Sequence, residues 1–218
     1  MLLQPHQRVK LDDTEDTLFY AYPRFVTHVD NNFISQLTNL YRQELKPNTK
    51  ILDLMSSWVS HLPPEMKFSH IEGHGMNEEE LKKNERLDHY FLQNLNSNMQ
   101  LPLENEDFDA VLCTVSIQYL QYPEAIFMEI ARILKPQGVA IFTFSNRMFY
   151  QKAITAWRDA TDRQRIFLTK SYFQSVPEFD TPEVIVQQPE TPNFLQMLGM
   201  GAKDPFYAVY ARKKSIDL

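Results

Sequence analysis

The feature that most restricts this chain is an alternation. Short apolar runs at 51–55, 68–75, 89–95, 108–115 and 139–144 are separated by stretches rich in helical spacing and turn residues. Runs of that length suit strands buried inside a parallel sheet, with the intervening helices covering its faces. From Phe33 the residues Phe33, Leu37, Leu40, Tyr41 and Leu45 fall on one helical face, and Pro47 stops the pattern. Asn77 stands as a helix N-cap, with Glu80 three residues on as its capping-box partner. Pro123 opens a further helix whose apolar face is Ile126, Phe127, Ile130, Ile133 and Leu134. Residues 147–175 read as helical. The runs 182–188 and 204–214 follow with no helix between them, which implies an antiparallel partner at one edge of the sheet. The expected architecture is α/β, with seven strands, mostly parallel, helices on both faces and an antiparallel last strand.

At 218 residues the chain is long enough for one full-sized domain and its core. The expected division is an N-terminal arm over 1–32, packed on a domain over 33–218. Lys and Arg total 22 against 28 Asp and Glu, so the net charge is -6 and no nucleic-acid partner is expected. The single cysteine, Cys113, excludes an intrachain disulfide and a Cys-rich zinc site, and reads as a small buried hydrophobe. No run approaches the roughly 20 apolar residues of a membrane span, and the first residues lack a signal-peptide core. A soluble, cytoplasmic protein is expected. None of the six histidines falls in an H-E-x-x-H pattern, so no metal site is expected; His28 and His61 are the two to look for beside a cleft. Only five glycines are present, and none can form a G-x-G-x-x-G or Walker loop. A dinucleotide-dependent oxidoreductase is therefore a poor reading.

Three segments carry a resemblance: 50–55 as a first-strand motif, LPLENEDFDAVLC at 101–113, and EIARILKPQGVAIFTFS at 129–145. Together they resemble the class I S-adenosylmethionine-dependent methyltransferases of small-molecule type, from about residue 33 to the end. Gln137 stands where the first glycine of that family's K-P-G-G turn usually sits. The resemblance implies a Rossmann-like sheet and S-adenosylmethionine as cofactor. MSSWVSHLP, CTVSIQYL and FSNRMFYQKA further resemble a methyltransferase-like subgroup with no assigned substrate.

The cofactor motifs depart from the family pattern in two places. Relatives carry D-x-G-x-G after the first strand, where this chain reads Asp53-Leu54-Met55-Ser56-Ser57. The glycines normally admit a close approach of backbone amides to the cofactor. Ser56 and Ser57 offer hydroxyls in exchange, whereas Met55 and Trp58 are large enough to fill the space. At the end of the second strand, Gly75 stands where the family has an acid that grips both ribose hydroxyls. Loss of such a contact costs roughly 1.5–3 kcal/mol, about 10–150-fold in affinity. Met76 falls at the adenine-packing position, and Asn94 or Asn96 where an acid often meets the adenine amine.

Ligands of open parallel sheets bind beyond the carboxyl ends of the strands. The expected cofactor contacts are therefore Asp53, Met55, Ser56, Ser57, Gly75, Met76, Asn77, Asn94, Leu95, Thr114 and Val115. Tyr22, Ser116, Asn146 and Arg147 are expected on the acceptor side, with Tyr20 and Arg24 as a lid or as plain packing. Methyl transfer is an in-line displacement that asks mainly for positioning and exclusion of water, so no fixed catalytic group is expected. The leading expectation is methyl transfer to a small or medium-sized acceptor. The alternative is an inactive, methyltransferase-like binding or assembly module with a protein partner.

Overall fold

The computed structural model describes residues 2–188 and 203–215. Helix α1 (Asp16–Phe19) lies in the arm, and α2 (Asn31–Glu44) opens the domain. Asp30 caps α2 by accepting a hydrogen bond from the Phe33 amide, and Phe33, Leu37, Leu40 and Tyr41 form its buried stripe. The strands are β1 (Lys50–Asp53), β2 (His70–Gly75), β3 (His89–Leu92), β4 (Phe108–Thr114), β5 (Leu134–Phe144), β6 (Glu183–Gln187) and β7 (Phe206–Arg212). Between them run α3 (Glu78–Lys83), α4 (Pro123–Ile133), α5 (Thr155–Arg158) and α6 (Asp162–Gln174). They form one sheet in the order β3-β2-β1-β4-β5-β7-β6, in which β7 alone runs antiparallel to its neighbours.

The expected strands and the antiparallel final strand are all present. β7 inserts between β5 and β6, so the edge on that side is β6. The helical stretch is narrower than 147–175: residues 147–154 form turns, and α5 and α6 follow. The linker 189–203 falls, apart from Lys203, outside the described residues.

Alternation along β4 divides the core in two. Val111 and Cys113 face a cluster with Phe127, Phe142 and Phe173 from α4, β5 and α6. Ala110 and Leu112 face Phe33, Leu37 and Tyr41 from α2. Phe127 stacks on Phe142 at 4.6 Å and meets the Phe173 ring edge-on at 4.8 Å. No helix among the described residues is long and apolar enough to cross a membrane.

The arm is fastened by charge. Lys152 is fully buried; its Nζ donates to the Thr14 carbonyl at 2.6 Å and lies 3.2 Å from an Asp12 oxygen. Asp16, also buried, accepts from Lys10 at 2.6 Å and from Asn96 at 2.9 Å. Arg8 pairs with Glu124 of α4 at 2.6 Å. Buried charges are tolerated only when paired in this way. The arm is thereby held along the ends of the strands.

Gln137 adopts φ 66°, the left-handed conformation that a glycine would take there. An L-residue pays roughly 1–2 kcal/mol for it, part of which is the backbone entropy a glycine would lose instead. We expect Gln137→Gly to raise stability by about 0.5–1 kcal/mol in urea unfolding. A loss of stability would contradict the assignment.

Candidate functional site

The chain bends sharply as it leaves β1. Met55 takes φ 57°, a left-handed backbone conformation that glycine adopts far more readily than a side-chain-bearing residue. Its amide donates to His74 Nδ1 at 3.1 Å, and the Ser56 amide donates to the His74 carbonyl at 2.7 Å. His74 Nε2 donates in turn to the Gln93 carbonyl at 2.9 Å, which fixes the neutral tautomer. Burial pushes the His74 imidazole down to about 4, in keeping with that role. The Met55 side chain packs against the α4-side core, and the Trp58 indole donates to the Val26 carbonyl of the arm at 3.1 Å. A cavity of about 380 Å³ remains open above the strand ends, within the usual size range of small-molecule sites.

Asp53 closes β1 inside this cavity. Both Ser56 and Ser60 hydroxyls donate to its Oδ2 at 2.6 Å, and Asn84 donates to Ser60 at 2.8 Å and to the Ser57 carbonyl at 2.9 Å. Burial pushes the Asp53 carboxyl up to about 6, against the lowering effect of the two hydroxyls.

At the end of β2 a side chain could be added only if its surroundings shifted. A Cβ on Gly75 would lie 2.9 Å from the Ser56 carbonyl oxygen and 3.1 Å from Leu81. The turn after β1 occupies the path along which an acid would extend. A carboxylate nonetheless lines the cavity. Glu80 of α3 accepts from Ser57 Oγ at 2.6 Å and from the Arg24 amide at 2.6 Å. Glu80 is therefore no capping-box partner. Asn77 does cap α3, accepting from the Glu80 amide at 3.0 Å, and spends its amide on the arm carbonyls of Tyr20 and Ala21.

Of the expected contacts, Asp53, Met55, Ser56, Ser57, Gly75, Met76, Asn77, Asn94, Leu95, Thr114 and Val115 all line the cavity, as do Ser116 and Arg147. Neither Asn146 nor Tyr22, which is 80% exposed, lines it. Asn96 also lines the wall, but its amide is committed to Asp16, the Tyr119 carbonyl and the Gln121 amide. Arg147 is paired with Asp204 at 2.6 Å. Thr114 shares a hydrogen bond with the Tyr41 hydroxyl at 2.8 Å, and Val115 turns the chain at φ 45°.

The arm contributes more of the wall than its polar sequence suggested: Asp16, Tyr20, Arg24 and residues 26–29 all face the cavity. Tyr20, Arg24 and His28 were expected near the cleft; nothing in the sequence marked Asp16, Val26, Thr27 or Val29. His28 and His61 both line the cavity, and burial lowers each below the ordinary imidazole range, so both are neutral near pH 7. Cys113 is buried and its thiol is pushed up by burial, as befits a packing residue. Among the described residues no cluster of His, Cys, Asp or Glu is arranged to hold a metal.

A family model described as a methyltransferase domain matches residues 67–142. No curated protein matches the sequence. Among solved structures, an S-adenosylmethionine-dependent methyltransferase from Mesorhizobium loti is 16% identical, covering 80% of this chain and 96% of that one, with a TM-score of 0.52. One from Thermotoga maritima, described as a possible histamine N-methyltransferase, is 18% identical over 84% of this chain and 91% of its own, at 0.56. The cyclase SpnF is 17% identical over 83% and 81%, at 0.59. The sheet order and these likenesses show a Rossmann-like fold of the kind found in S-adenosylmethionine-dependent methyltransferases, and the family model covers residues 67–142 of it.

Two predictions follow from the β1 turn. Because the folded Asp53 titrates near 6 against 3.8, its burial favours the fold fully below about pH 4 and that contribution is lost as pH rises through 6. An Asn carbonyl can accept both serine hydroxyls and does not titrate. Asp53→Asn should therefore be about 2 kcal/mol more stable than the parent chain at pH 8, and near parity at pH 4, in urea unfolding. Equal differences at both pH values would contradict the assignment. Gly75→Asp should lower stability by about 1–3 kcal/mol, and unchanged stability would show that the turn can yield.

Proposed function

We propose that this chain is an S-adenosylmethionine-dependent methyltransferase acting on a small or medium-sized acceptor in the cytoplasm. The observation that carries the reading is the open cavity at the ends of β1, β2, β3 and β4, kept clear by the left-handed Met55. Its residues fit such a cofactor. Met76 and Leu95 offer apolar surface for a purine, and Asn94 lies at the corresponding end of β3. Asp53 and Glu80 supply carboxylates near the loop after β1. Gln118 Oε1, buried at the wall, has no donor among the described residues, and a ligand carrying N–H or O–H groups would satisfy it.

Bound S-adenosylmethionine would supply a methyl group activated by its sulfonium. The chain's own part is positioning and dryness. Asp53 and Glu80 complement positive charge and hydroxyl donors, and in this reading Glu80 takes over the ribose-gripping role that Gly75 cannot have. The arm, fastened by Lys10, Lys152 and Asn77, roofs the cavity and excludes water. His28 and His61, both neutral, stand on the wall able to accept a proton from an acceptor that carries one.

The non-catalytic alternative has one observation in its favour: Asn77, Asn96 and one Glu80 oxygen already serve arm contacts. The cyclase SpnF, with a similar fold, is also a reminder that architecture does not settle chemistry.

S-adenosylhomocysteine should raise the melting temperature of the full chain; ligand at 100 times its dissociation constant adds about 2.7 kcal/mol. A flat response to millimolar ligand would favour the non-catalytic module. Glu80→Gln should weaken binding about tenfold in calorimetry, the worth of a charge-assisted bond. Ser57→Trp should abolish it. Full affinity in both variants would move the cofactor elsewhere.

A further inference from the structure

Of the two arginines on the cavity wall, one lacks an ion-pair partner among the described residues. Asp16 is paired with Lys10, and Arg147 with Asp204. Asp53 holds two serine hydroxyls; Glu80 holds Ser57 and a backbone amide. Arg24 has no carboxylate within ion-pair distance among the described residues. Its Nη2 donates to the Phe19 carbonyl at 2.8 Å, and Nη1 reaches the Tyr22 carbonyl at 3.4 Å. The remaining N–H groups of its fork have no acceptor among the described residues.

The guanidinium is nevertheless fixed. It lies over the rings of Phe19 at 4.5 Å, Phe149 at 5.4 Å and Tyr20 at 5.8 Å. Phe149 is itself held by Tyr119, whose ring stacks on it at 5.9 Å and whose hydroxyl accepts the Phe149 amide at 2.8 Å. A partly buried arginine, immobilised on aromatic faces and presenting unused planar donors to a cavity, is pre-organised for a planar anion.

We infer that Arg24 anchors the carboxylate of a small aromatic acid, whose ring lies along the wall formed by Tyr20, Tyr119 and Phe149. The inference rests on the proposed methyltransferase activity only for naming that acid as the acceptor; the anion site stands on the wall itself. A guanidinium matches a carboxylate through two parallel hydrogen bonds, and the flanking rings match an aromatic body.

The test uses the full chain and benzoate, benzamide and phenyl phosphate as probes, with dissociation constants from ligand-observed NMR, with and without S-adenosylhomocysteine. Benzoate should bind about tenfold more tightly than isosteric benzamide, the worth of a charge-assisted pair. Arg24→Gln should erase that preference, and Arg163→Gln, at an exposed position on α6, should leave it intact. If Arg24→Gln fails to fold, Arg24→Lys serves instead: it keeps the charge without the planar fork, and the preference should fall about threefold or more. Equal binding of benzoate and benzamide overturns the inference, as does a preference that survives Arg24→Gln or tighter binding of phenyl phosphate. Benzoate preference that depends on Arg24, with no S-adenosylhomocysteine binding, keeps the anion site and defeats the methyltransferase activity. Bound S-adenosylhomocysteine without benzoate preference does the reverse.

Discussion

The turn after β1 is the constraint on which the site depends. Met55 and Ser56 are tied back to β2 by the His74 ring and carbonyl, while the same ring reaches the Gln93 carbonyl beyond β3. Three strand ends are thus fixed by one neutral histidine. Asp53, with its two serines and Asn84, holds the other side of the turn. The close packing of Ser56 on Gly75 is a consequence, and so is the space left above it. Met55 holds a left-handed backbone there while its side chain, partly buried, packs against the core at the edge of the cavity.

The sheet was legible because each strand is an apolar run of the right length between turn residues, and because the two final runs have no helix between them. Pro47 and Pro123 marked helix boundaries well: α2 ends at Glu44 and α4 begins at Pro123. Residues 147–154 misled. Their apolar residues are spaced as in a helix, but Phe149 and Lys152 are drawn into contacts with the arm. Burial and ion pairing there override local preference.

The site was legible where it follows from topology. Residues at strand ends must converge, and all but Asn146 and Tyr22 of those expected line the cavity. What could not be read was which side chains remain available. Asn77 and Asn96 are largely spent on the arm, a fact set by contacts between residues about 25 to 80 positions apart. Glu80 sat within an acidic run that suits the helix dipole and stood out only as a capping-box partner for Asn77, so nothing in the sequence marked it for the cavity. Only the closeness of Ser56 to Gly75, invisible in sequence, shows why a carboxylate has to come from α3 if it is to come at all.

The most direct measurement of this account is a crystal structure of the chain grown with S-adenosylhomocysteine. The account predicts a nucleoside joined to an amino acid lying across the turn after β1, with Glu80 at the ribose hydroxyls, Met55 still left-handed and Trp58 still bonded to the arm. An empty cavity at saturating ligand, or Met55 and Trp58 turned inward to fill it, would contradict it.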